Sequence, residues 1–104
     1  MDRILLSVIV PCFNEINTLE KVISKIQNSP VDSKEIIIID DFSSDGSRQF
    51  LQNINSKNIK TIFHDRNRGK GASIYSGIAI AKGEIVIIQD ADLEYDPDEY
   101  PKII

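Results

Sequence analysis

The stretch "IIIIDDFSSDGS", residues 36–47, joins four consecutive isoleucines to two aspartates and a run of small polar residues. A short β-branched run that ends in turn-forming residues predicts a strand buried on both faces. Asp40 and Asp41 then stand at the end of a buried strand, where they either cap the turn into the next helix or face a ligand. The neighbouring segments indicate what kind of sheet contains this strand.

Apolar runs alternate with segments of helical period along the whole chain. Strands are predicted at 4–10, where Pro11 ends the run, and at 35–40, 58–64 and 84–89. Helices are predicted from Ile16, around 50–54 and over 70–82, the last with Ile74, Ile78 and Ala81 on one face. The order βαβαβαβ predicts an α/β fold with four parallel strands and helices on both faces of the sheet.

Length and composition restrict the classes of protein. The chain has 104 residues, the size of one domain, and its net charge of -4 argues against a nucleic-acid partner. Cys12 is the only cysteine, which indicates a reduced thiol rather than a disulfide framework. No apolar run approaches the roughly 20 residues of a membrane helix. We therefore predict a cytoplasmic protein.

Three strand ends carry unusual residues: "PCFNE", "DDFSSDG" and "DADLE". The carboxyl ends of parallel strands meet at one edge of a sheet, where such folds bind ligands. The chain has neither a GxGxxG fingerprint nor a P-loop. If the backbone is extended after the fourth strand, Asp90 and Asp92 point to the same side and can face one hard divalent cation. Short acidic pairs are also found solvated or capping a helix, so the spacing alone leaves both interpretations open.

Longer motifs add a resemblance to a known family. The stretches "SVIVPCFNE", "IIIIDDFSSDGS" and "NRGKGASIYSGIAIAKGEIVIIQDADLEYDP" together resemble the family 2 glycosyltransferases, which have the GT-A fold. The last stretch looks most like the group that includes dolichyl-phosphate mannose synthase and bacterial polyprenyl-phosphate glycosyltransferases. The resemblance implies a Rossmann-like GT-A half in which residues 1–104 form a single nucleotide-sugar-binding domain, truncated before the acceptor-binding part.

The resemblance also implies roles for the residues at the first two strand ends. Asp41, with Asp40 beside it, matches the carboxylate that accepts hydrogen bonds from the base or the ribose. Pro11, Phe13 and Glu15 match the nucleotide-contacting loop after the first strand. Phe13 stands where the family more often has Tyr, so a hydrogen bond from that position is not expected.

A metal site is implied at the end of the fourth strand. Asp90 matches a position that faces the ribose or the metal, and Asp92 matches the metal ligand. Glu94 stands where related lipid-phosphate enzymes place a further ligand. The cofactor expected from this resemblance is Mg²⁺ or Mn²⁺.

Basic residues precede the third helix in the segment "RNRGK". Arg68 and Lys70 are candidates for binding the diphosphate, because the N-terminus of a helix also attracts phosphate. Plain solvation of these side chains is the alternative, and it is favoured for Arg66. His64, the only histidine, ends a strand without an evident partner and is interpreted as structural.

These observations predict the donor-binding part of a metal-dependent inverting glycosyltransferase that uses a UDP- or GDP-linked sugar. The parent would act on a polyprenyl phosphate or saccharide acceptor, and a lipid-linked acceptor would place it at the cytoplasmic face of a membrane through its missing C-terminal part. The general base is expected downstream, so the chain itself should be inactive or slowly hydrolytic.

The alternative is a non-catalytic nucleotide- or partner-binding module on the same fold. A phosphoacceptor receiver domain is excluded, because the acidic pair of such a domain follows the first strand, whereas Asp40 and Asp41 follow the second predicted strand.

Overall fold

Four parallel strands form one sheet in the computed structural model, which describes residues 3–92 and 97–103. The strands are β1 (Leu6–Cys12), β2 (Lys34–Asp40), β3 (Ile59–Phe63) and β4 (Ile85–Ile88). Their order across the sheet is β3-β2-β1-β4, and each neighbouring pair is parallel. The predicted α/β fold with four parallel strands is confirmed.

Helices cover both faces of this sheet. The helices are α1 (Ile16–Gln27), α2 (Ser47–Gln52), α3 (Lys70–Ile80) and the short α4 (Tyr100–Ile103), which follows a 3₁₀ turn at Pro97–Glu99. Apolar residues of α1 and α2 pack with Val8 and Val10 on one face, whereas α3 lies over Ile9 on the other. Among the described residues, no helix combines the length and the hydropathy that crossing a bilayer requires.

The direction of the chain reverses between β3 and β4. The connections through α1 and α2 carry the chain outward from β1 to β3, and α3 returns it to β4 on the far side of β1. Because crossovers between parallel strands are right-handed, a reversal of direction places the helix on the opposite face. A crevice therefore forms where β1 and β4 end, which is the usual ligand position in open α/β sheets.

β1 continues two residues beyond its predicted end, through Pro11 to Cys12. The Ile9 carbonyl accepts the Gln89 N–H on the β4 side, and the Cys12 carbonyl accepts the Asp41 N–H on the β2 side. Since backbone groups alternate between the two sides of a strand, Pro11 faces the β4 side. The pairing of β1 with β4 ends at Ile9. The missing N–H of Pro11 therefore removes no hydrogen bond from the sheet.

α3 packs on the sheet through a face that the sequence does not predict. Gly77 is buried, and a Cβ there would lie 2.8 Å from side-chain atoms of both Ile9 and Ile39. Ala81 packs against the same apolar cluster, but Ile78 is 49% exposed, so its predicted inward position is wrong. The helix backbone lies closer to the sheet than a larger residue at position 77 would allow.

Candidate functional site

A cavity of about 450 Å³ opens at the carboxyl edge of the sheet, beside the ends of β1, β2 and β4. Its lining includes seven residues that the sequence predicts for the site: Pro11, Phe13, Glu15, Asp41, Lys70, Asp90 and Asp92. Five more were not predicted to bind a ligand: Cys12, Asn67, Gly69, Ser73 and Ala91. Asp40 and Arg68 are not part of the lining, and Glu94 lies outside the described residues.

Asp41 is the carboxylate that follows β2 directly and reaches the cavity. Its Oδ1 accepts hydrogen bonds from His64 Nδ1 at 2.9 Å and from the Arg68 N–H at 2.8 Å, and its Oδ2 accepts the Gly69 N–H at 2.8 Å. Burial alone would raise the pKa of Asp41, but these hydrogen bonds outweigh it and hold the pKa below its ordinary value. Asp41 is therefore an ionised hydrogen-bond acceptor at neutral pH.

His64 is a site residue whose partners the sequence did not reveal. Its ring is 5% exposed, with Nδ1 on Asp41 and Nε2 2.9 Å from Ser76 Oγ on α3. In the structure, β2 and β3 are paired up to Asp40 and Phe63, a register that the sequence does not show. The residues that follow, Asp41 and His64, are consequently neighbours at the same sheet edge.

Asp40 has a different environment, behind the cavity. It is fully buried, and its Oδ2 accepts hydrogen bonds from the Ser43 N–H and from Arg48 Nη1, each at 3.2 Å. Its Oδ1 has no hydrogen-bond partner in the described part of the chain. The Arg48 guanidinium lies over the rings of Phe63 and Phe42, at 5.0 and 6.0 Å from their centroids. The two aspartates thus differ, and a direct contact of Asp40 with a ligand stays a prediction.

The loops after β1 and β2 are fastened to each other. The Asn14 N–H donates to Ser43 Oγ at 2.9 Å, and the Ser44 N–H donates to Asn14 Oδ1 at 2.8 Å. Asn14 has a φ of 54°, in the left-handed region that Asn tolerates better than most residues. These contacts join the loop that carries Phe13, a side chain that is 46% exposed, to the loop that follows Asp41.

Asp45 joins the starts of two helices in the same loop pair. Its Oδ2 accepts the Ile16 N–H at the start of α1, and its Oδ1 accepts the N–H and the hydroxyl of Ser47 at the start of α2. The Glu15 N–H donates in turn to Ser47 Oγ at 3.2 Å. The backbone at Glu15 is therefore positioned by a residue from the loop after β2.

Lys70, the first residue of α3, forms an ion pair inside the cavity. Its Nζ lies 2.6 Å from Oδ1 of Asp90, and the two side chains are 58% and 20% exposed. Arg68 is exposed and contributes its backbone N–H to Asp41 rather than a side chain to the lining. Gly69, between them, has a φ of 93°, which favours glycine at this turn. Of the two predicted basic residues, the cavity contains the side chain of Lys70.

Asp90 and Asp92 both line the cavity on the β4 side. Their oxygens are hard ligands, and two carboxylates together with phosphate oxygens and water suit the six-coordinate geometry of Mg²⁺. Within residues 3–92 and 97–103 no group of three or more His, Cys, Asp or Glu is placed to hold a metal ion. Glu94, the third predicted ligand, lies outside that part of the chain. The residues present are compatible with a metal that is shared with a ligand.

Two hydrogen bonds hold the residues on either side of Asp90, one through the Gln89 side chain and one through the Ala91 carbonyl. Tyr100 Oη donates to Gln89 Oε1 at 2.8 Å, and both side chains are buried. Burial raises the pKa of Tyr100, so its phenol stays protonated as a donor. Thr18 Oγ1 on α1 donates to the carbonyl of Ala91. The segment that carries the acidic pair is thereby tied to α1 and α4.

A parallel α/β sheet with an acidic cavity at its point of reversal is the arrangement of Rossmann-like ligand-binding proteins. The chain belongs to glycosyl transferase family 2, which it matches over residues 7–104. It is 33% identical to an undecaprenyl-phosphate 4-deoxy-4-formamido-L-arabinose transferase of Aeromonas hydrophila, over 99% of this chain and 33% of that protein. It is 34% identical to a dolichol-phosphate mannosyltransferase of Pyrococcus furiosus, over 94% of this chain and 28% of that protein. The chain thus spans about a third of the length of these relatives.

Solved glycosyltransferases share the fold. S. aureus TarS 1–349 in complex with UDP superimposes with a TM-score of 0.81 at 25% identity, over 96% of this chain and 31% of TarS. The mannosyltransferase PcManGT from Pyrobaculum calidifontis, in complex with GDP-Man and Mn²⁺, gives a TM-score of 0.75 at 28% identity, over 88% of this chain and 28% of that one. The resemblance to GT-A glycosyltransferases that the sequence indicates is confirmed.

Proposed function

We propose that the cavity binds a nucleotide diphosphate sugar and that the chain is the donor-binding part of a metal-dependent inverting glycosyltransferase. The observation that carries the proposal is the convergence of Asp41, Lys70, Asp90 and Asp92 on one cavity at the sheet's point of reversal. Asp41 follows β2, whereas Lys70 and the acidic pair Asp90 and Asp92 come from the start of α3 and the segment after β4. This arrangement suits a ligand with a base at one end and a diphosphate at the other.

The base end is formed by the loops after β1 and β2. Asp41 offers an ionised acceptor to a ring N–H or a ribose hydroxyl. Phe13 offers an aromatic face, 46% exposed, on which a base can stack. Pro11 and Glu15 line the same cavity, and Asp40 supports this end from behind.

The diphosphate end is formed by the start of α3 and the end of β4. Lys70 brings an ammonium group to the N-terminus of an 11-residue helix, and both attract phosphate. Asp90 and Asp92 would hold Mg²⁺ or Mn²⁺, with Glu94 as a further ligand. A divalent ion there supplies neutralisation of the charge that develops on a departing diphosphate.

We propose that the acceptor site and the general base are formed by parts of the parent protein other than the residues that the structure describes. The names of the two curated relatives specify undecaprenyl phosphate and dolichol phosphate. We therefore propose a polyprenyl phosphate acceptor for the parent protein, which would place it at the cytoplasmic face of a membrane. An inverting transfer needs an acceptor that is anionic or is deprotonated by a base.

Calorimetric titration tests the donor site. UDP and GDP are titrated into the chain with Mn²⁺, and again with a chelator. We expect binding that is markedly stronger with Mn²⁺, because the acidic pair repels a diphosphate until a cation is shared between them. Asp92→Ala should lose this metal-dependent gain, whereas Asp32→Ala, at an exposed position ahead of β2, should keep it. Equal affinity in both buffers contradicts the metal site, and absence of nucleotide binding contradicts the proposal as a whole.

A further inference from the structure

We propose that His64 is a positioning residue that makes the site selective for uracil over guanine, by occupying one of the acceptor positions of Asp41. This inference rests on the proposed nucleotide site and extends it to the identity of the base. It follows from the number of hydrogen bonds that the Asp41 carboxylate already accepts within the protein.

An ionised carboxylate has two oxygens and about four lone-pair positions for hydrogen bonds. In Asp41, Oδ1 accepts both His64 Nδ1 and the Arg68 N–H, so its capacity is filled. Oδ2 accepts the Gly69 N–H and has room for about one more donor. Asp41 lines the cavity while only 4% exposed, so any remaining acceptor position is reached from a narrow approach.

The orientation of His64 is defined from both sides of its ring. Since Asp41 is ionised and can only accept, Nδ1 must carry a hydrogen and donate it. Nε2 lies 2.9 Å from Ser76 Oγ, and the ring is 5% exposed. α3 thereby holds the imidazole in place, and the imidazole holds Oδ1 of Asp41. Ser76 lies one residue before Gly77, where α3 packs tightly against Ile9 and Ile39 of the sheet.

The nucleobases differ in how many donors they present to a carboxylate. Uracil has a single ring N–H between two carbonyl groups, which needs one acceptor position. Guanine presents a ring N–H and an adjacent amino group, which together need one position on each carboxylate oxygen. Cytosine has an acceptor at the equivalent ring nitrogen and would face the carboxylate with no donor there. The capacity left on Asp41 matches uracil, and guanine would have to displace His64 or the Arg68 N–H from Oδ1.

Binding of UDP, GDP and CDP in the presence of Mn²⁺ tests this inference on the full chain. The wild-type chain should bind UDP about tenfold more tightly than GDP, the factor expected when a guanine donor is left unpaired. CDP should bind more weakly than UDP. His64→Leu, which removes the donor and frees Oδ1, should reduce the UDP-to-GDP preference to about threefold or less. His64→Asn, whose side-chain amide nitrogen is as far along the side chain as Nδ1, should retain the preference.

The ratio of affinities, rather than either affinity alone, is the decisive measurement. A purely structural role of His64 would weaken UDP and GDP equally on His64→Leu and leave the ratio unchanged, which would overturn the inference. GDP binding as tightly as UDP to the wild-type chain would overturn it as well, without any variant. If neither nucleotide binds, the proposed function itself fails, and that result is distinct from a site that binds nucleotides without selecting the base.

Discussion

At the scale of single residues, the adjacent aspartates of "DDFS" lie in two different environments. Asp41 reaches the cavity with its carboxylate held by two backbone N–H groups and a histidine. Asp40 is fully buried and binds Arg48 and the Ser43 N–H. We therefore expect Asp41 to contribute to ligand binding, and Asp40 to contribute mainly to the structure of the loop.

Substitution of the two aspartates should separate these functions. Asp41→Ala should weaken nucleotide binding by about 1–3 kcal/mol, the range for a hydrogen bond to a charged group, even without metal. Asp40→Asn should affect binding less and should instead lower the free energy of unfolding, because Arg48 loses its charged partner. Calorimetry and denaturant unfolding of both variants check this. The reverse order of the two binding effects would show that the assignment of the pair is wrong.

The sequence identifies most of the cavity residues because they follow strand ends of a parallel sheet, and topology alone brings such ends together. It does not reveal the contact of His64 with Asp41. That contact depends on β2 and β3 ending in register, at Asp40 and Phe63, and on α3 placing Ser76 against the imidazole. Strand register and helix position are set by packing across the whole sheet, so local patterns carry little information about them.

At the scale of elements, α3 shows how one glycine determines the packing of a helix. Helical periodicity suggests an inward face that contains Ile78, but Ile78 is 49% exposed and Gly77 faces the sheet. A periodic pattern locates apolar residues around a helix and cannot detect a close approach of backbone to sheet. β4 is an edge strand with Val86 and Ile88 exposed, and its apolar run likewise predicts more burial than the structure has.

Substitution of two glycines in α3 by alanine should change the free energy of unfolding in opposite directions. Gly77→Ala should lower the free energy of unfolding by about 1–3 kcal/mol, because its Cβ would lie 2.8 Å from Ile9 and Ile39 and push the helix outward. Gly71→Ala has no atom within 4 Å of the new Cβ and should stabilise the protein by up to about 1 kcal/mol through helix propensity. Urea unfolding measures both. A Gly77→Ala variant with the same free energy of unfolding as the wild type would contradict the close packing of α3.

Glu35 lies near the amino-terminal end of β2, at the edge of the sheet opposite the cavity. There it binds the turn between α3 and β4. The side chain is 2% exposed, and it accepts hydrogen bonds from Ser7 Oγ, the Lys82 N–H and Lys60 Nζ. Burial alone would raise the pKa of Glu35, but these hydrogen bonds and the charge of Lys60 outweigh burial. The pKa of Glu35 is therefore lower than its ordinary value of 4.5. Ser7 Oγ also accepts the Gly83 N–H, which closes the network.

The pH dependence of stability should report this network. Because the folded-state pKa of Glu35 is lowered, its contribution to stability is present above pH 4.5 and is lost as the pH falls through the folded pKa. Asp41 and Asp45 have lowered pKa values as well and act in the same direction. Urea midpoints of the wild type and Glu35→Gln, measured from pH 7 to pH 3, should therefore converge as the pH falls. A difference in urea midpoint between the wild type and Glu35→Gln that stays constant with pH would contradict the role of the ionised Glu35 carboxylate.

At the scale of the whole molecule, the chain contains a cavity that fits donor recognition, and it spans about a third of the length of its curated relatives. Three of the carboxylates that line that cavity have proposed roles in donor binding. Asp41 is saturated on one oxygen by protein donors, and Asp90 and Asp92 face the proposed cation. A general base must instead stand beside the acceptor, within hydrogen-bond reach of the proton that it removes.

We therefore expect that the chain as given binds donor without transferring the sugar efficiently. Loss of a general base costs about 10²–10⁴ in rate, and loss of acceptor orientation costs more. Slow hydrolysis of the donor, with water as acceptor, is the most activity expected. Incubation with UDP- and GDP-linked sugars and a polyprenyl phosphate, followed by mass spectrometry, measures both products, and Asp92→Ala serves as the control for background hydrolysis. Efficient formation of a glycosyl polyprenyl phosphate would show that a residue of this chain serves as the base, and Glu15, which lines the cavity, would be the first to substitute.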